Sequence, residues 1–579
     1  MCRSEFPNPQ FIRRDFEYLN GEWDFTIEGQ NTQKIKVPFC PESALSGIQY
    51  TDFIKHCTYQ KTFEIEKVEE DKRYFIHFGA VDYEAKVFVN GQCIGGHKGG
   101  YTPFALECTD CLKDGENVLI VYVTDDVHAN TPSGKQSAKK DSYGCFYTRI
   151  TGIWQNVWLE KTPKQYIKSV KFYPDINNAS VEVEIRTEGS GNVRLEIFYE
   201  GRQVGKEIKY IDYRDCLKID LTERHLWEPG NGQLYDVKIA FEQDEIESYF
   251  GMRSVAFEGY KFLINGKSVF QRFVLDQGYH PEGLYTMPSK ESMIKDIELG
   301  LKLGFNGARL HQKVFDPQFL YYCDKMGYMI WGEFPSWGIR YDNLEALGCF
   351  VTEWTETVER DFNHPSIVLW CPLNETWKDW DNPKKSRDVR FIDAIYSLTK
   401  SIDKTRPCVD VSGGFHGHNT DLYDFHCYES FENLQSYLDK LEREDLLEVP
   451  LLYDERETHL HYKKGLPINV SEYGGIRFSD QYKEGDNGAP ISECAVTCSE
   501  SWGYGKGEAD ENAFIARYQK LTCLLLSSEK VSGFCYTQLY DIEQEENGFF
   551  KYDRTPKLSE SAMNEIAQCN RMRAKIEED

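Results

Sequence analysis

Short alternating runs of apolar and polar residues follow one another through residues 8–160. The runs 74–79, 85–91 and 117–123 are each bounded by turn residues, and this period of two predicts half-buried strands. Asn90 followed by Gly91 is the kind of pair that turns a hairpin. Many short strands with such turns are typical of a two-sheet sandwich. We therefore expect residues 1–161 to form a jelly-roll β-sandwich.

A second, shorter β unit follows in residues 162–256. Its runs 180–185 and 193–199 again alternate with a period of two. A unit of this length built from such strands is typical of an immunoglobulin-like β-sandwich.

From residue 257 onwards, apolar strands alternate with helical stretches. In the stretch 291–300, Met293, Ile294 and Ile297 recur at helical spacing. Repeated strand-helix units predict a parallel sheet, and eight of them predict a (β/α)8 TIM barrel in residues 257–579. The eight strand candidates are 269–275, 305–310, 328–333, 367–373, 408–412, 423–427, 468–471 and 531–537.

Two of these predicted strands end in a carboxylate. The apolar run 366–373 stops at Asn374 and Glu375, and the run 467–470 leads to Glu472. Because the carboxyl ends of barrel strands meet at one face, we expect Glu375 and Glu472 at one pocket. Retaining glycoside hydrolysis needs such a pair, one as acid and base and one as nucleophile. The alternative is that Asn374 and Glu375 merely begin a helix.

Polar residues at the same predicted face suggest roles around this pair. Glu375 is the candidate acid and Glu472 the candidate nucleophile, which must stay ionised. Arg309 at the end of strand 2 and Tyr428 after strand 6 are placed to favour that charge. Asn374 is placed to bond the sugar 2-hydroxyl. The alternatives are an ordinary ion pair for Arg309 and rim packing for Tyr428.

Further candidates for substrate binding lie at other strand ends. Tyr536 ends strand 8 and could floor the sugar site, or belong to the core. Asp276 ends strand 1 and offers an acceptor for sugar hydroxyls, or forms a turn. His311 lies two residues after Arg309, and Trp377 two residues after Glu375.

Composition and charge exclude several kinds of molecule as binding partners. The formal net charge of −27 argues against nucleic acid and anionic membranes, and no apolar run is long enough to span a bilayer. The 18 cysteines without an apolar leader predict reduced thiols in a cytoplasm. Cys108 and Cys111 have zinc-like spacing but no second ligand pair, so we expect no metal and no cofactor. The expected partner is an oligosaccharide or a small glycoside.

These features resemble glycoside hydrolase family 2, the family of β-galactosidases, β-glucuronidases and β-mannosidases. The resemblance covers nearly the whole chain and implies a sugar-binding-like sandwich, an immunoglobulin-like sandwich and a barrel. It also implies Glu375 as acid and base, Glu472 as nucleophile, Tyr428 as the tyrosine that holds it, and retention with release of terminal sugars. Family members are often dimers or tetramers, so a homo-oligomer is allowed. The motifs that carry the resemblance are 19–23, 152–155, 226–229, 250–253, 263–267, 374–375 and 471–474.

The identity of the sugar is less constrained. β-Galactosides are the leading candidate, and β-mannosides, β-glucosides and arabinopyranosides are the alternatives. Glucuronidases of the family carry an Asn-x-Lys where this chain has Glu545, Glu546 and Asn547, and these acidic residues disfavour a uronate. A different class remains as an alternative, a carbohydrate-binding protein with an inactive barrel.

Overall fold

The structure is a computed structural model that describes residues 6–376, 388–449, 462–478, 501–505, 507–508 and 510–578. It has two β-sandwiches followed by a TIM barrel, which confirms the predicted fold class.

The N-terminal sandwich packs a four-stranded sheet, in the order β1-β12-β5-β9, against a six-stranded sheet, in the order β3-β2-β4-β10-β7-β8. Alternate residues of β2, including Trp23, Phe25 and Ile27, are buried in the core between the sheets, as the period of two predicts. The strands are β1 Phe16–Tyr18, β2 Gly21–Ile27, β3 Gln33–Val37, β4 His56–Ile65, β5 Lys72–Phe78, β6 Val81–Asp82, β7 Glu84–Val89, β8 Gln92–Lys98, β9 Phe104–Glu107, β10 Gly115–Thr124, β11 Gly152–Ile153 and β12 Val157–Pro163.

The immunoglobulin-like unit is antiparallel and contains two long strands that pair along most of their length. Register shifts interrupt that pairing between Arg186 and Ser190 and between Ile197 and Phe198; shifts of this kind bend a ladder. Its core is separate from that of the first sandwich. The strands are β13 Tyr166–Asp175, β14 Ser180–Tyr199, β15 Arg202–Asp220, β16 Tyr235–Phe241 and β17 Asp244–Phe250.

A small antiparallel sheet leads into the barrel. It consists of β18 Val255–Glu258, β19 Lys261–Ile264 and β20 Lys267–Ser268. The barrel strands are β21 Gln271–Asp276, β22 Gly307–Leu310, β23 Met329–Glu333, β24 Ile367–Cys371, β25 Leu373–Asn374, β26 Val411–Ser412, β27 Tyr423–Cys427, β28 Ile468–Gly474 and β29 Val531–Thr537.

Parallel pairing curls these strands into the barrel. Among the described residues, seven strands form one sheet in the order β24-β23-β22-β21-β29-β28-β27. The short strand β25 continues β24 and pairs in parallel with β26, which supplies the fifth of eight barrel positions. Every residue of β24, β28 and β29 is buried, because the helices cover the outer face of such a sheet.

The described helices surround the barrel and share one device at their N-termini. Each begins after a Ser, Asp or Asn whose side chain accepts a hydrogen bond from a backbone N–H of the first turn. Within the described ranges, no helix is both long enough and apolar enough to cross a membrane. The helices, with these capping residues in parentheses, are α1 Lys290–Lys302 (Ser289), α2 Pro317–Met326 (Asp316), α3 Leu344–Asp361 (Asn343), α4 Val389–Ile402 (Asp388), α5 Phe431–Glu444 (Ser430), α6 Glu511–Leu526 (Asp510) and α7 Glu560–Asn570 (Ser559).

Candidate active site

The ends of β25 and β28 bring Glu375 and Glu472 to one buried cluster at the barrel mouth. The two side chains offer carboxylate oxygens that lie within 4.8 Å of each other and of an imidazole nitrogen of His426. Glu375 is 6% exposed and Glu472 is 4% exposed. The two strand ends that the sequence singled out therefore meet in space.

The backbone of Glu375 adopts an uncommon left-handed conformation at the end of β25. Its φ of 38° lies in the left-handed region, which costs free energy for a residue with a Cβ atom. The N–H of Glu375 donates to the carbonyl of Ser412 over 2.8 Å, which continues the pairing of β25 with β26. This local strain is held by neighbouring barrel strands.

Glu472 is held by two donors from different strands. Nη1 of Arg309 donates to its Oε1 over 2.7 Å, and the hydroxyl of Tyr428 donates to its Oε2 over 2.5 Å. The hydroxyl of Tyr428 also lies 2.9 Å from Oγ1 of Thr537 at the end of β29. Both donors favour the ionised form of Glu472.

Arg309 connects several groups beneath the pocket and is fully buried. Its Nε donates to Oε2 of Glu333 and its Nη2 to Oδ1 of Asn374, each over 2.5 Å. The other oxygen of Glu333 accepts the N–H of Gln312 over 3.0 Å and lies 2.9 Å from Nδ1 of His311. Glu333, which sequence reasoning missed, thus balances the guanidinium together with Glu472.

The electrostatics separate the two glutamates into different protonation states. Burial, followed by the negative charge of Glu472, raises the pKa of Glu375. Burial alone would also raise the pKa of Glu472, but the charges of His426 and Arg309 outweigh it and lower that pKa to about 2. At neutral pH, Glu472 is therefore ionised, while Glu375 is shifted toward the protonated form.

His426 is the second residue of the cluster that sequence reasoning missed. Its Nδ1 lies 2.6 Å from Oε1 of Glu375 and 3.3 Å from Oε2 of Glu472. It is buried at the end of β27, two residues before Tyr428, so both side chains point into the barrel. That spacing on one strand was the signal that could have identified it.

Across the ranges that the structure describes, the side-chain amide of Asn374 is hydrogen-bonded through its oxygen but not through its nitrogen. Its Oδ1 accepts from Arg309, while its buried Nδ2 has no hydrogen-bond partner among the described residues. Because a guanidinium can only donate, this orientation of the amide is chemically required. An unsatisfied buried donor beside the glutamates is suited to a substrate oxygen.

Of the remaining residues predicted to bind substrate, the structure places some beside the glutamates and others away from them. His311 lies in the cluster. Oδ1 of Asp276 accepts the N–H of Gly278 over 2.9 Å and also the hydroxyl of Tyr540, so this carboxylate holds its own loop.

Tyr536 is not brought to the glutamates. It packs against the rings of Tyr473, Tyr518 and Phe549, and its hydroxyl accepts the N–H of Ile476 over 3.2 Å. These contacts place Tyr536 between the barrel and its helices, in the core that we gave as its alternative. Trp377 lies outside the described residues.

The N-terminal sandwich contributes a segment to the barrel mouth. Its residues 131–148 contact the barrel through several bonds, including the N–H of Ser133 to the carbonyl of Trp337 over 2.8 Å and Nε1 of Trp502 to the carbonyl of Gly144 over 2.8 Å. Lys135 in this segment is 5% exposed, and its Nζ lies 4.6 Å from the centre of the Trp337 ring. The sandwich therefore helps to build the pocket wall.

Lys135 carries a buried positive charge close to the glutamates. Burial lowers its pKa, but Cys145, Glu545 and Glu472 together raise it overall. In the described part of the chain, its Nζ makes no hydrogen bond and no ion pair. A buried ammonium that makes only a ring contact, with no hydrogen bond or ion pair, is costly, so this is a position where an anionic or strongly polar substrate group would be stabilised.

Glu545 also lies on this side of the pocket. It accepts a bond from the hydroxyl of Tyr147, and its Oε1 accepts from Nδ2 of Asn547 over 2.9 Å. Burial raises its pKa in spite of Lys135 and these two donors. Glu545 is thus shifted toward the neutral form, which weakens the repulsion of a uronate that its sequence position suggested.

The geometry of Glu375, His426 and Glu472 would also suit a metal ion. Each of the three groups already has a protein partner, and the cationic Arg309 is bonded directly to Glu472. Hydrogen bonds and charge therefore account for the arrangement, and we do not identify these residues as metal ligands.

Comparison with known families agrees with this architecture. The model described as "Glycosyl hydrolases family 2, sugar binding domain" matches residues 49–163, the model described as "Glycosyl hydrolases family 2" matches 165–253, and the TIM barrel domain of the same family matches 255–478. The chain belongs to glycoside hydrolase family 2.

Individual relatives carry two different names. A β-galactosidase of Thermoanaerobacter pseudethanolicus is 28% identical over 414 residues, which are 68% of this chain and 53% of that protein. A β-glucuronidase of Streptococcus agalactiae is 25% identical over 404 residues, which are 62% of this chain and 66% of that protein. The matched part spans about half to two thirds of these relatives.

Solved structures show the same fold over the full length. A β-D-glucuronidase of Dictyoglomus thermophilum superimposes with a TM-score of 0.77 and 20% sequence identity, and the match covers 99% of both chains. At this identity the likeness concerns the fold alone.

Proposed function

We propose that this protein is an exo-acting retaining β-glycosidase that hydrolyses terminal β-linked sugars by double displacement. The observation that carries the proposal is the pair of buried carboxylates of Glu375 and Glu472, with oxygens within 4.8 Å of each other. Retaining enzymes place their carboxyl groups ~5–5.5 Å apart, whereas inverting enzymes leave ~6.5–9.5 Å for a water molecule.

In the first step, the ionised carboxylate of Glu472 attacks the anomeric carbon. The bond from this carbon to the glycosidic oxygen breaks, and the leaving oxygen takes the proton of Glu375. Arg309 and Tyr428 keep Glu472 ionised before the attack. Nδ2 of Asn374 donates to the sugar 2-hydroxyl, an interaction that strengthens as positive charge develops on the sugar.

In the second step, water attacks the same carbon from the opposite side. Glu375, now a carboxylate, takes the proton of this water, and Glu472 leaves as a carboxylate. The two inversions give overall retention, and both glutamates return to their starting states.

For the sugar, a β-galactoside is our first candidate. Its support is the similarity to β-galactosidases, including the relative from Thermoanaerobacter pseudethanolicus. β-Mannosides, β-glucosides and arabinopyranosides stay alternatives. Action in the cytoplasm and a homo-oligomer also stay predictions from the sequence.

A β-uronide is the second candidate, and one specific observation favours it. The ammonium of Lys135 is buried beside the glutamates and has no ionic partner in the described part of the chain. A carboxylate at C6 of a terminal uronosyl residue would supply that partner. The similarity to relatives named β-glucuronidase, including the one from Streptococcus agalactiae, is consistent with this candidate.

A panel of nitrophenyl glycosides tests the proposal. We expect the full-length protein to release nitrophenol from at least one of the β-D-galactoside, glucoside, mannoside, glucuronide and galacturonide or the α-L-arabinopyranoside, with the anomeric configuration retained in the first product seen by NMR. Glu472→Gln should lose turnover by at least about 10⁴-fold, as expected for removal of a nucleophile.

The matched control is Glu560→Gln at the exposed start of α7, which should leave turnover unchanged. Hydrolysis by Glu472→Gln at the wild-type rate, or an inverted first product, would refute the mechanism. Sugar binding without turnover on any substrate of the panel would favour the non-catalytic carbohydrate-binding protein.

A further inference from the structure

The imidazole of His426 occupies a place between the two glutamates that the double-displacement mechanism does not by itself require. Its Nδ1 faces both carboxylates, at 2.6 Å from Glu375 and 3.3 Å from Glu472. The shorter contact uses Oε1 of Glu375. In the described residues no hydrogen bond is found for Oε2, so that oxygen is left for the glycosidic oxygen of the substrate.

The other side of the ring fixes its orientation. Nε2 lies 3.0 Å from Oγ of Ser412, which in turn lies 2.7 Å from Oγ of Ser471. Nη1 of Arg309 lies 3.5 Å from the same nitrogen. Because a guanidinium only donates, this contact favours a lone pair on Nε2 and therefore a proton on Nδ1 when the imidazole is neutral. The proton on Nδ1 then points to the glutamates.

Both negative and positive groups surround the imidazole of His426. Burial lowers the pKa of His426, but Glu472 and Glu375 raise it overall, against the opposing effect of Arg309. Lys135 acts on both glutamates from the side of the N-terminal sandwich. The titratable and charged groups that act on the imidazole from its own strand and from the packed strands are Glu375, Glu472, Arg309, His311 and Asp424.

Double displacement moves a negative charge from one side of this ring to the other. Before the first step Glu472 is ionised and Glu375 is protonated. In the glycosyl-enzyme, Glu472 is an uncharged ester and Glu375 is the carboxylate. Nδ1 of His426 is within reach of both oxygens, so the same group can stabilise the charge in either place without a large movement.

We propose that His426 is a positioning residue that binds whichever of the two glutamates carries the negative charge, and that presents Oε2 of Glu375 to the glycosidic oxygen. This inference rests on the proposed function. In this role His426, on β27, affects the protonation of Glu375 at each step. It does so by contacting the carboxyl groups, and it does not contact the sugar.

The role makes a signed prediction for the pH dependence. A positive or donating group beside a carboxyl lowers the pKa of that carboxyl, by about 1–3 at 4–6 Å for a full charge. Removing the imidazole therefore raises the pKa of Glu472, which sets the acidic limb of kcat/KM, and that of Glu375, which sets the basic limb. Both limbs should move to higher pH together.

The test uses His426→Asn and His426→Ala in the full-length protein, on a nitrophenyl glycoside that the wild type cleaves. Asn places a neutral donor near the position of Nδ1, and Ala places none. We expect both limbs of kcat/KM to move upward by at least about one pH unit in both variants, and Asn to retain more activity than Ala at the new optimum.

The glycosyl-enzyme gives a second readout. A dinitrophenyl glycoside needs little acid assistance, so its first step should be nearly unaffected in His426→Asn. The second step needs Glu375 as a carboxylate. At a pH below the raised pKa of Glu375, each further fall of one in pH should slow this step by about tenfold. A burst of dinitrophenol followed by slow turnover is the expected result.

His364 offers a matched control. It is 1% exposed by side chain, and its Nδ1 lies 2.6 Å from Oδ2 of Asp324, before the opposite end of β24. His364→Asn should lower thermal stability but leave the pH profile in place. A loss of activity in His426→Asn with both limbs unmoved would overturn the inference and leave His426 a structural residue.

The outcomes separate this inference from the proposed function. If wild-type protein hydrolyses the substrate and Glu472→Gln does not, the function stands whatever His426 does. If the limbs of His426→Asn and His426→Ala stay where they are in the wild type, only the role of His426 fails. Melting curves of both variants establish that the barrel is folded when the kinetics are measured.

Discussion

The guanidinium of Arg309 should determine both the stability of the barrel and the ionisation of Glu472, and Arg309→Met separates these effects. The side chain is fully buried and bonds Glu333, Glu472 and Asn374 over 2.5 to 2.7 Å. Its loss leaves two buried carboxylates without their cation. Breaking a buried pair of this kind costs about 3–5 kcal/mol, which corresponds to a fall of roughly 6–20 °C in the melting temperature of a large domain.

The loss of activity in Arg309→Met can be estimated separately from the loss of stability. One hydrogen bond to a charged group is worth about 1.5–3 kcal/mol, so weaker stabilisation of the Glu472 carboxylate should lower kcat/KM by about 10- to 150-fold. A second substitution, Glu333→Gln, removes the other stranded charge and keeps an oxygen that accepts the N–H of Gln312. The double variant should therefore recover most of the stability and little of the activity.

The assay is scanning calorimetry together with kcat/KM on a nitrophenyl glycoside that the wild type cleaves. Arg406→Met is the matched control, since Arg406 is 4% exposed and its Nη1 lies 2.7 Å from Oδ2 of Asp403. It also binds the carbonyl of Ile367 at the start of β24, at the opposite end from the glutamates. This control should lose stability with kcat/KM unchanged. Wild-type kcat/KM in the Arg309→Met, Glu333→Gln double variant would refute the reasoning.

Two further predictions concern the pocket. Tyr428→Phe removes the donor to Oε2 of Glu472, so the pKa of Glu472 should rise from about 2 and the acidic limb of kcat/KM should move to higher pH; an unmoved limb would contradict this. Since the folded pKa of Glu472 lies below its usual value, its ionisation stabilises the wild-type fold above about pH 4.3, and this contribution is lost as the pH falls toward 2. Lys135→Met should lower kcat/KM for a uronide by at least about tenfold more than for a galactoside, if a uronide is cleaved, because only the uronide loses an ion pair. Equal losses on both substrates, measured side by side, would remove Lys135 as a determinant of sugar charge.

The two glutamates could be found from the sequence because a barrel gathers the carboxyl ends of its strands at one face. An apolar run that ends in Asn374 and Glu375, and another that leads to Glu472, are local signals. Arg309 followed the same logic at the end of β22. Parallel strands with buried faces on both sides read as continuous apolar runs, so the barrel itself was also visible without coordinates.

For most residues of those strands, the sequence did not show whether the side chain points into the barrel or outward to the helices. Successive residues of a strand point to opposite faces, and on a strand buried on both sides no polar pattern marks which face is inside. Thr537 points inward and bonds Tyr428, so the adjacent Tyr536 points outward into the core beside the helices. By the same alternation His426 and Tyr428 share the inner face.

The sequence by itself determined the order of the domains, the barrel and the pair of carboxylates, because these depend on periodicity and on residues at strand ends. Tertiary structure alone decided that His426 lies between the glutamates, that Glu333 balances Arg309, and that Lys135 reaches the pocket from the N-terminal sandwich. These contacts join residues far apart in the chain. The spacing of His426 from Tyr428 indicates only that both side chains face the barrel interior. Which groups meet there depends on how the barrel closes and how the sandwich docks on it, and local patterns do not contain that information.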